Sequence, residues 1–134
     1  MSAKTDQNIN APIAKGFWGT VEYAVCKNGS RPAEDFIRGL NNADKPKVAH
    51  LFMVIAATGV IRNPQKFKKL EGKIFEFKSH QIRIACFQVR HTWFLTNGFF
   101  KDQDDWPSGE VERAIRIMAE HMERANQGEK HGFH

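Results

Sequence analysis

Four charged residues interrupt the most apolar part of the sequence, residues 73–101: Glu76, Lys78, Arg83 and Lys101. Charged side chains are seldom found inside a core sheet unless they are paired, exposed at an edge or placed for use. Arginine binds phosphate through two parallel N–H donors, and a lysine crowded by other cations has a lowered pKa and can transfer protons. The set therefore suits phosphate chemistry, whereas an ordinary cross-strand ion pair on a solvated face is the alternative.

The elements that must position these residues are three short antiparallel strands. Apolar, aromatic and β-branched residues dominate the stretch, and its polar breaks at residues 79–81 and 90–92 have the composition of hairpin turns. Because side chains alternate along a strand, Glu76 and Lys78 are predicted to share one face. Glu76 is then placed to hold Lys78 or Arg83 in position, or to act as a base itself.

The rest of the chain predicts one further strand and three helices. Apolar odd-numbered residues predict the strand over residues 17–26. The first helix is predicted to begin at Ser30, an N-cap residue, with Pro32 in its first turn. The second helix is predicted to begin at Asp44, which is likewise an N-cap residue followed by a proline, Pro46, in the first turn.

Apolar residues at helical spacing define the buried faces of the last two helices. In the second helix, which Gly59 is expected to end, they are Val48, Leu51, Phe52 and Ile55. In the third, which Ser108 is predicted to cap, they are Val111, Ala114, Ile115, Met118 and Met122. The order predicts an α+β domain, β-α-α-β-β-β-α, with a mainly antiparallel sheet packed against helices.

A single domain is predicted over residues 16–125, between a disordered N-terminal segment at residues 1–15 and a flexible tail at residues 126–134. The N-terminal segment lacks the apolar core of a signal peptide, and no apolar run is long enough to span a membrane. Cys26 and Cys86 lie in separate apolar segments, which favours the reduced state of a cytoplasmic protein. We expect no membrane association.

Charge is unevenly distributed along the chain, whose net charge is +5. Five lysines lie at the entry to the predicted three-stranded sheet: Lys66, Lys68, Lys69, Lys73 and Lys78. Residues 102–105, in contrast, contain three aspartates and no cation. This separation of charge favours a polyanionic or acidic partner that binds near the five lysines. The alternative, which explains the lysines equally well, is an ordinary loop exposed to solvent.

No metal or cofactor site is expected. None of the six histidines stands at ligand spacing with Cys, Asp or Glu. The sequence also has no glycine-rich phosphate loop and no Ser/His/Asp or Cys/His arrangement. His80 and His91 lie in predicted turns, where surface residues are more typical than a general base.

Six short motifs occur in a specific order between residues 21 and 122. They are Asn28-Gly29 before a helix start at residues 32–36, Lys69-Leu70-Glu71-Gly72, Ile74-Phe75-Glu76-Phe77-Lys78, Ile82-Arg83-Ile84, Gly98-Phe99-Phe100-Lys101 and Glu110-Val111-Glu112-Arg113-Ala114. Their order and spacing resemble the RelE/HigB superfamily, the toxins of type II toxin–antitoxin modules, and its phage-derived, HigB-like branch in particular.

The resemblance implies a RelE-like fold and a bacterial, cytoplasmic ribonuclease that cuts mRNA, usually during translation on the ribosome. It also implies a cognate antitoxin, often with a helix-turn-helix domain, that silences the toxin and represses the shared operon. The toxin then meets operator DNA only through that antitoxin. Arg83 falls on the family's central sheet arginine, Lys78 on a basic position in the previous strand, and Lys101 on the basic residue closing the last strand.

Metal-free RNA cleavage uses the 2′-OH of one nucleotide to attack the adjoining phosphate, so protons must move and negative charge on phosphorus must be stabilised. Arg83 is the expected phosphate clamp, and the nuclease prediction requires it to be free of an internal salt link and directed toward Lys78 and Lys101. Glu76 completes the expected catalytic set. The expected RNA contacts are Lys66, Lys68, Lys69, Lys73, His80 and Trp106.

Two departures from the family pattern keep other functions open. The segment after the last strand is commonly basic in the family, whereas residues 102–105 are acidic here and repel RNA. Some relatives place a tyrosine near the last helix to stack a base. Trp106 is the aromatic residue available here, and a packing or docking role is more typical of such a residue than base stacking. The first rival function is a ParE-like toxin, which poisons DNA gyrase by binding; the second is a catalytically inactive protein that regulates its operon.

Overall fold

The computed structural model describes residues 11–102, 106–107 and 109–132 of the chain, with side chains described up to residue 128. Six strands within these residues form one sheet. The strands are β1 (Ala14–Lys15), β2 (Thr20–Tyr23), β3 (Phe67–Glu71), β4 (Ile74–Ser79), β5 (Ile82–Val89) and β6 (Thr92–Phe100). The helices are α1 (Pro32–Arg38), α2 (Lys45–Thr58) and α3 (Glu110–Gly132).

The order of strands across the sheet is β1-β2-β6-β5-β4-β3. Neighbouring strands are antiparallel except β2 and β6, which are parallel. The predicted α+β class with a mainly antiparallel sheet is therefore confirmed. No helix in the part of the chain that the structure describes is both long and apolar enough to cross a membrane.

Both ends of the sheet differ from the predicted element order. Phe67–Glu71, predicted as a loop, is the edge strand β3, whose exposed Lys68 and Lys69 hide the usual apolar pattern. Ala14–Lys15, placed within the disordered segment, pairs with β2 at the other edge. The predicted strand over residues 17–26 was too long, since β2 begins at Thr20 and Phe17 is fully exposed in the preceding turn.

The helix starts also differ from the prediction. Arg31 rather than Ser30 is the N-cap of α1, and neither Arg31 nor Asp44 makes a capping side-chain hydrogen bond. Before α2 the side chain of Asn41 accepts hydrogen bonds from the N–H groups of residues 43 and 44. Gly59 ends α2 in the left-handed conformation (φ 84°), and the predicted α2 stripe is fully buried, as expected.

The buried face of α3 is rotated from the predicted one. Ile117 is fully buried with Ala114, whereas Ile115, predicted to be buried, is exposed. The helix continues to Gly132, beyond the predicted domain boundary at residue 125. The predicted cap Ser108 lies outside the described residues.

The sheet separates two hydrophobic cores. Core residues of α1 and α2 pack on one face, against alternate strand residues such as Phe77 and Ile84. α3 packs on the opposite face, against Ile74, Ala85 and Phe87. Cys86 belongs to the first core and Cys26 to the second, and both are free thiols. Because α3 covers only part of its face, the end of the sheet beside the β4–β5 turn keeps polar residues.

Replacing Gly19 by alanine is expected to lower the free energy of unfolding by about 3 kcal/mol, the upper range for overpacking. A Cβ at this position would lie 1.9 Å from the carbonyl oxygen of His91, which accepts a hydrogen bond from Thr20 N–H. Urea unfolding measures the change. Gly128→Ala is the control, because its Cβ meets nothing within 4 Å; equal stability of the two variants would contradict this packing.

A histidine joins α3 to the chain that follows β2. Nδ1 of His121 accepts a hydrogen bond from Val25 N–H (3.0 Å), and the imidazole packs on Phe94 with ring centroids 4.2 Å apart. Nδ1 can accept this bond only while it carries no proton. Burial lowers the pKa of His121 from its ordinary value of 6.5, and the charge of Arg124 lowers it further.

Acidification is therefore expected to weaken this attachment. Since the pKa of His121 is lower in the folded chain, the unfolded chain binds the proton first, and stability is lost as pH falls below about 6.5. Between pH 7.5 and 5.5 we expect the free energy of unfolding to fall on the order of 1 kcal/mol further in the wild type than in His121→Gln, because one hydrogen bond contributes about that much. Urea titrations at both pH values measure this, and His50→Gln, at an exposed histidine, should behave as wild type.

Candidate functional site

The strand register brings four of the predicted site residues onto one face of the sheet. Lys68 of β3 lies opposite Glu76 of β4, and Lys78 of β4 lies opposite Arg83 of β5. These residues alternate with Phe77 and other residues of the first core, so they lie on the face that α3 partly covers. The predicted alignment of Glu76 and Lys78 follows from this alternation.

Lys101 joins this group from the end of β6. Its N–H donates to the carbonyl of Gln81 (2.6 Å), which fixes it beside the β4–β5 turn. Lys101, Lys68 and Arg83 each lower the pKa of Lys78 through their charges, so all four cations act on one area. We call this surface the cation face and define it as Lys68, Lys78, Arg83 and Lys101 around Glu76.

Glu76 is the buried centre of the cation face. It is 2% exposed, and its Oε1 accepts a hydrogen bond from Nε1 of Trp106 (3.0 Å). The same oxygen lies 3.6 Å from Nε of Arg83. A buried carboxylate needs such partners, because an unpaired charge away from water is costly. Glu76 is therefore placed to position Arg83. The indole of Trp106 covers Glu76 and separates the carboxylate from solvent.

Arg83 does not meet the condition set for a free phosphate clamp. Its Nη1 donates to the carbonyls of His80 (2.6 Å) and Ile82 (2.9 Å), and its Nε faces Glu76. The side chain is only 12% exposed. The salt link with Glu76, one of the two placements expected for that carboxylate, forms because Glu76 lies diagonally across the strands from Arg83. Nε itself is buried without a hydrogen-bond partner.

The surroundings of Lys78 lower its pKa from the ordinary value. Partial burial lowers its pKa, followed by the charge of Lys68 and those of Arg83 and Lys101, while Glu76 acts in the opposite direction. Its Nζ donates to the carbonyl of Pro64 (3.3 Å) and is otherwise half-exposed. A lysine with a lowered pKa is a better proton donor than an ordinary one.

Trp106 closes one side of the cation face. Its ring meets Phe99 edge to face, with centroids 4.3 Å apart, and its N–H is used by Glu76. Trp106, Lys68, Lys101 and Glu76 line a shallow cavity of about 290 Å³. The indole is thus packed into the protein, and its predicted contact with an RNA base stays a prediction.

The other predicted RNA contacts are spread over the surface. Lys73 lies in the β3–β4 turn, five residues from Lys78 along one strand and so about 16 Å away. Lys69 is exposed on β3. Lys66 and His80 line a separate groove beside α2. Only Lys68 of the predicted RNA-binding lysines belongs to the cation face.

A buried polar pair next to the site was missed from the sequence. Thr96 and Asn97 are fully buried in β6, and the Thr96 hydroxyl donates to the Asn97 side-chain oxygen (2.7 Å). Nδ2 of Asn97 donates to the carboxylate (2.9 Å) and the carbonyl (3.3 Å) of Glu110, the first residue of α3. Asn97 therefore fixes the start of the helix. The sequence feature that could have revealed this pair is the presence of two adjacent polar residues inside an apolar strand.

The described residues contain no group of three or more His, Cys, Asp or Glu side chains placed to hold a metal ion. The charged groups that the cation face presents are those of its lysines, Arg83 and Glu76. Such a face can bind polyanions, stabilise negative charge and transfer protons.

Fold and site together define a small α+β domain with a basic, partly covered sheet face. The family model described as "Phage derived protein Gp49-like" matches residues 35–119, which include the whole cation face. The chain belongs to this Gp49-like family, which is related to the RelE-like toxins. A search among curated proteins found no match.

Proposed function

We propose that this chain is the toxin of a toxin–antitoxin module and cleaves mRNA on the ribosome without a metal ion. The observation that carries the proposal is the convergence of Lys68, Lys78, Arg83 and Lys101 on one open sheet face. Four cations held so close together repel one another and favour a polyanion as ligand. Membership of a family related to RelE-like toxins makes RNA the polyanion to test.

The residues of the cation face have distinct roles in this proposal. Lys68 and Lys101 contact phosphates, and their charge favours transfer of the 2′-OH proton to a water molecule. The 2′ oxygen attacks the adjoining phosphorus, and the bond from phosphorus to the 5′ oxygen breaks. Lys78, as an ammonium with a lowered pKa, donates its proton to that leaving oxygen. Glu76 is a positioning residue.

Arg83 takes part only after a rearrangement. In the structure it is held by Glu76 and by two main-chain carbonyls. A phosphate offers arginine a bidentate partner that is itself charged, so a bound RNA strand competes with Glu76 for the guanidinium. The ion pair with Glu76 is then the state of the site before RNA binds.

Expression of the chain in bacteria without its partner tests the proposal. New mRNA 5′ ends should appear within coding regions, and Lys101→Ala should reduce them about 100-fold, the usual effect of losing one group that stabilises transition-state charge. Arg83→Ala should reduce them similarly. Arg90→Ala, at an exposed residue of the β5–β6 turn, is the control and should cleave as wild type. Intact mRNA on expression of the wild type would contradict the nuclease.

The ion pair of Arg83 with Glu76 favours a second candidate, a ParE-like toxin that binds DNA gyrase and cleaves nothing. An arginine whose guanidinium is held by contacts within the protein is not available as a catalytic cation. Blocked replication with intact mRNA in the same expression experiment would support this candidate. Absence of toxicity would support a catalytically inactive protein that regulates its operon.

The proposal includes a cognate antitoxin, and assigns the chain to the HigB-like branch and to the bacterial cytoplasm. A helix-turn-helix domain on the antitoxin would contact operator DNA, so the toxin itself needs no DNA-binding surface. Co-expression of a small helix-turn-helix protein encoded beside this chain should restore growth. Toxicity that persists with that protein bound would contradict this part of the proposal.

A further inference from the structure

A groove separate from the cation face lies between α2 and the start of β3. Its volume is about 620 Å³. Leu51 and Val54 of α2 and Ile61 of the following loop form its aliphatic floor. Leu51 is buried, and Val54 and Ile61 are partly exposed, so the floor is open to solvent. We call this surface the α2 groove.

The rim of the α2 groove is basic. Lys47 and His50 stand on α2, and Lys66 and His80 stand on the opposite wall; all four are exposed. The described residues that line the groove include no carboxylate. An aliphatic floor inside a ring of lysines and imidazoles attracts a ligand that combines negative charge with aliphatic surface.

We propose that the α2 groove is the docking site for an acidic protein segment that inserts an aliphatic side chain. A nucleic acid also carries negative charge, but its bases bind by stacking on aromatic rings. Among the residues that the structure describes, no phenylalanine, tyrosine or tryptophan lines this groove. Leucine, isoleucine or valine flanked by aspartate or glutamate matches both the floor and the rim.

The groove meets the cation face through the main chain around the β4–β5 turn. The carbonyl of Lys66 accepts a hydrogen bond from Lys78 N–H (2.8 Å), and that of His80 accepts one from Arg83. His80 itself has positive φ (55°), so its side chain is directed by a constrained turn. Among the described residues, none that lines the groove belongs to the cation face, so the docking proposal does not rest on RNA cleavage.

A peptide-display selection against the purified full-length chain tests the proposal. Random 16-residue peptides are selected on the wild type, and the enriched peptides are then measured by fluorescence anisotropy. Enriched sequences should have aliphatic residues flanked by carboxylates. The charge reversal Lys47→Glu with Lys66→Glu should weaken their binding at least tenfold. The matched control, Lys15→Glu with Arg90→Glu, makes the same change of charge at exposed residues outside the groove and should bind as wild type.

A second measurement locates the bound peptide without any substitution. Imidazole NMR resonances of His50 and His80 should shift on addition of the enriched peptide, because both side chains line the groove. Peptides without acidic bias, or equal loss of binding in both double variants, would overturn the proposal. So would single-stranded RNA that shifts the same resonances and displaces the peptide, which would make the groove an RNA site.

Discussion

Lys78→Arg is expected to reduce mRNA cleavage about 100-fold while RNA affinity stays within about twofold. Arginine keeps the positive charge that contacts phosphate but does not release its proton at any working pH. The lowered pKa of Lys78, caused by partial burial and by three neighbouring cations, is what makes the native residue suitable as a proton donor. The substitution therefore separates charge from proton transfer.

Two assays measure the effect of Lys78→Arg. Cleavage is followed in a reconstituted translation reaction, and affinity is measured with a 2′-O-methylated RNA that cannot be cut. Lys73→Arg, in the turn at the other end of β4, is the matched control and should leave both quantities unchanged. Cleavage by Lys78→Arg at the wild-type rate would remove Lys78 from proton transfer, and an equal loss of binding and cleavage would make it a phosphate contact only.

Glu76→Gln is expected to tighten RNA binding about tenfold, equivalent to about 1.4 kcal/mol. The substitution removes the negative charge at the centre of the cation face and releases Nε of Arg83 for a phosphate. Glutamine keeps an oxygen that can accept the hydrogen bond from Trp106. The cation face would then be more positive, with nearly the same shape.

The same variant is expected to shift the pH dependence of cleavage. The charge of Glu76 raises the pKa of Lys78 against the other influences, so its removal lowers that pKa further. Because the donor must carry its proton, the fall of the cleavage rate with rising pH should begin at lower pH in Glu76→Gln. An unchanged pH profile together with unchanged affinity would assign the Glu76–Arg83 pair to stability alone. Thermal unfolding of Glu76→Gln checks that the fold is kept.

The grouping of Glu76, Lys78, Arg83 and Lys101 was predictable because it depends on local rules. Alternation along β4 places Glu76 and Lys78 together, and two tight turns bring β4, β5 and β6 side by side. The α2 stripe was predictable for the same reason, since four apolar residues at helical spacing leave one face to bury. In both cases the information lies within a few neighbouring residues.

Features that depend on distant contacts were not predictable. The choice of Arg83 rather than Lys78 as the ion-pair partner of Glu76 requires the register of β4 with β5, and the cover by Trp106 requires the path of the chain after β6. β3 was missed because its lysines are exposed at a sheet edge, where the partner strand supplies the stability. On α3, choosing between Ile115 and Ile117 requires knowing how the helix is rotated on the sheet.

The parallel pairing of β2 with β6 has a consequence for how the chain is made. Thr20 and Thr92 lie side by side although 72 residues separate them. During synthesis, β2 leaves the ribosome long before the strand that it pairs with, whereas β3 to β6 follow one another through tight turns. Distant pairing is slow because a large loop must close first. A product terminated before residue 92 would therefore leave β2 paired with β1 alone, and the sheet is completed only once β6 has been made.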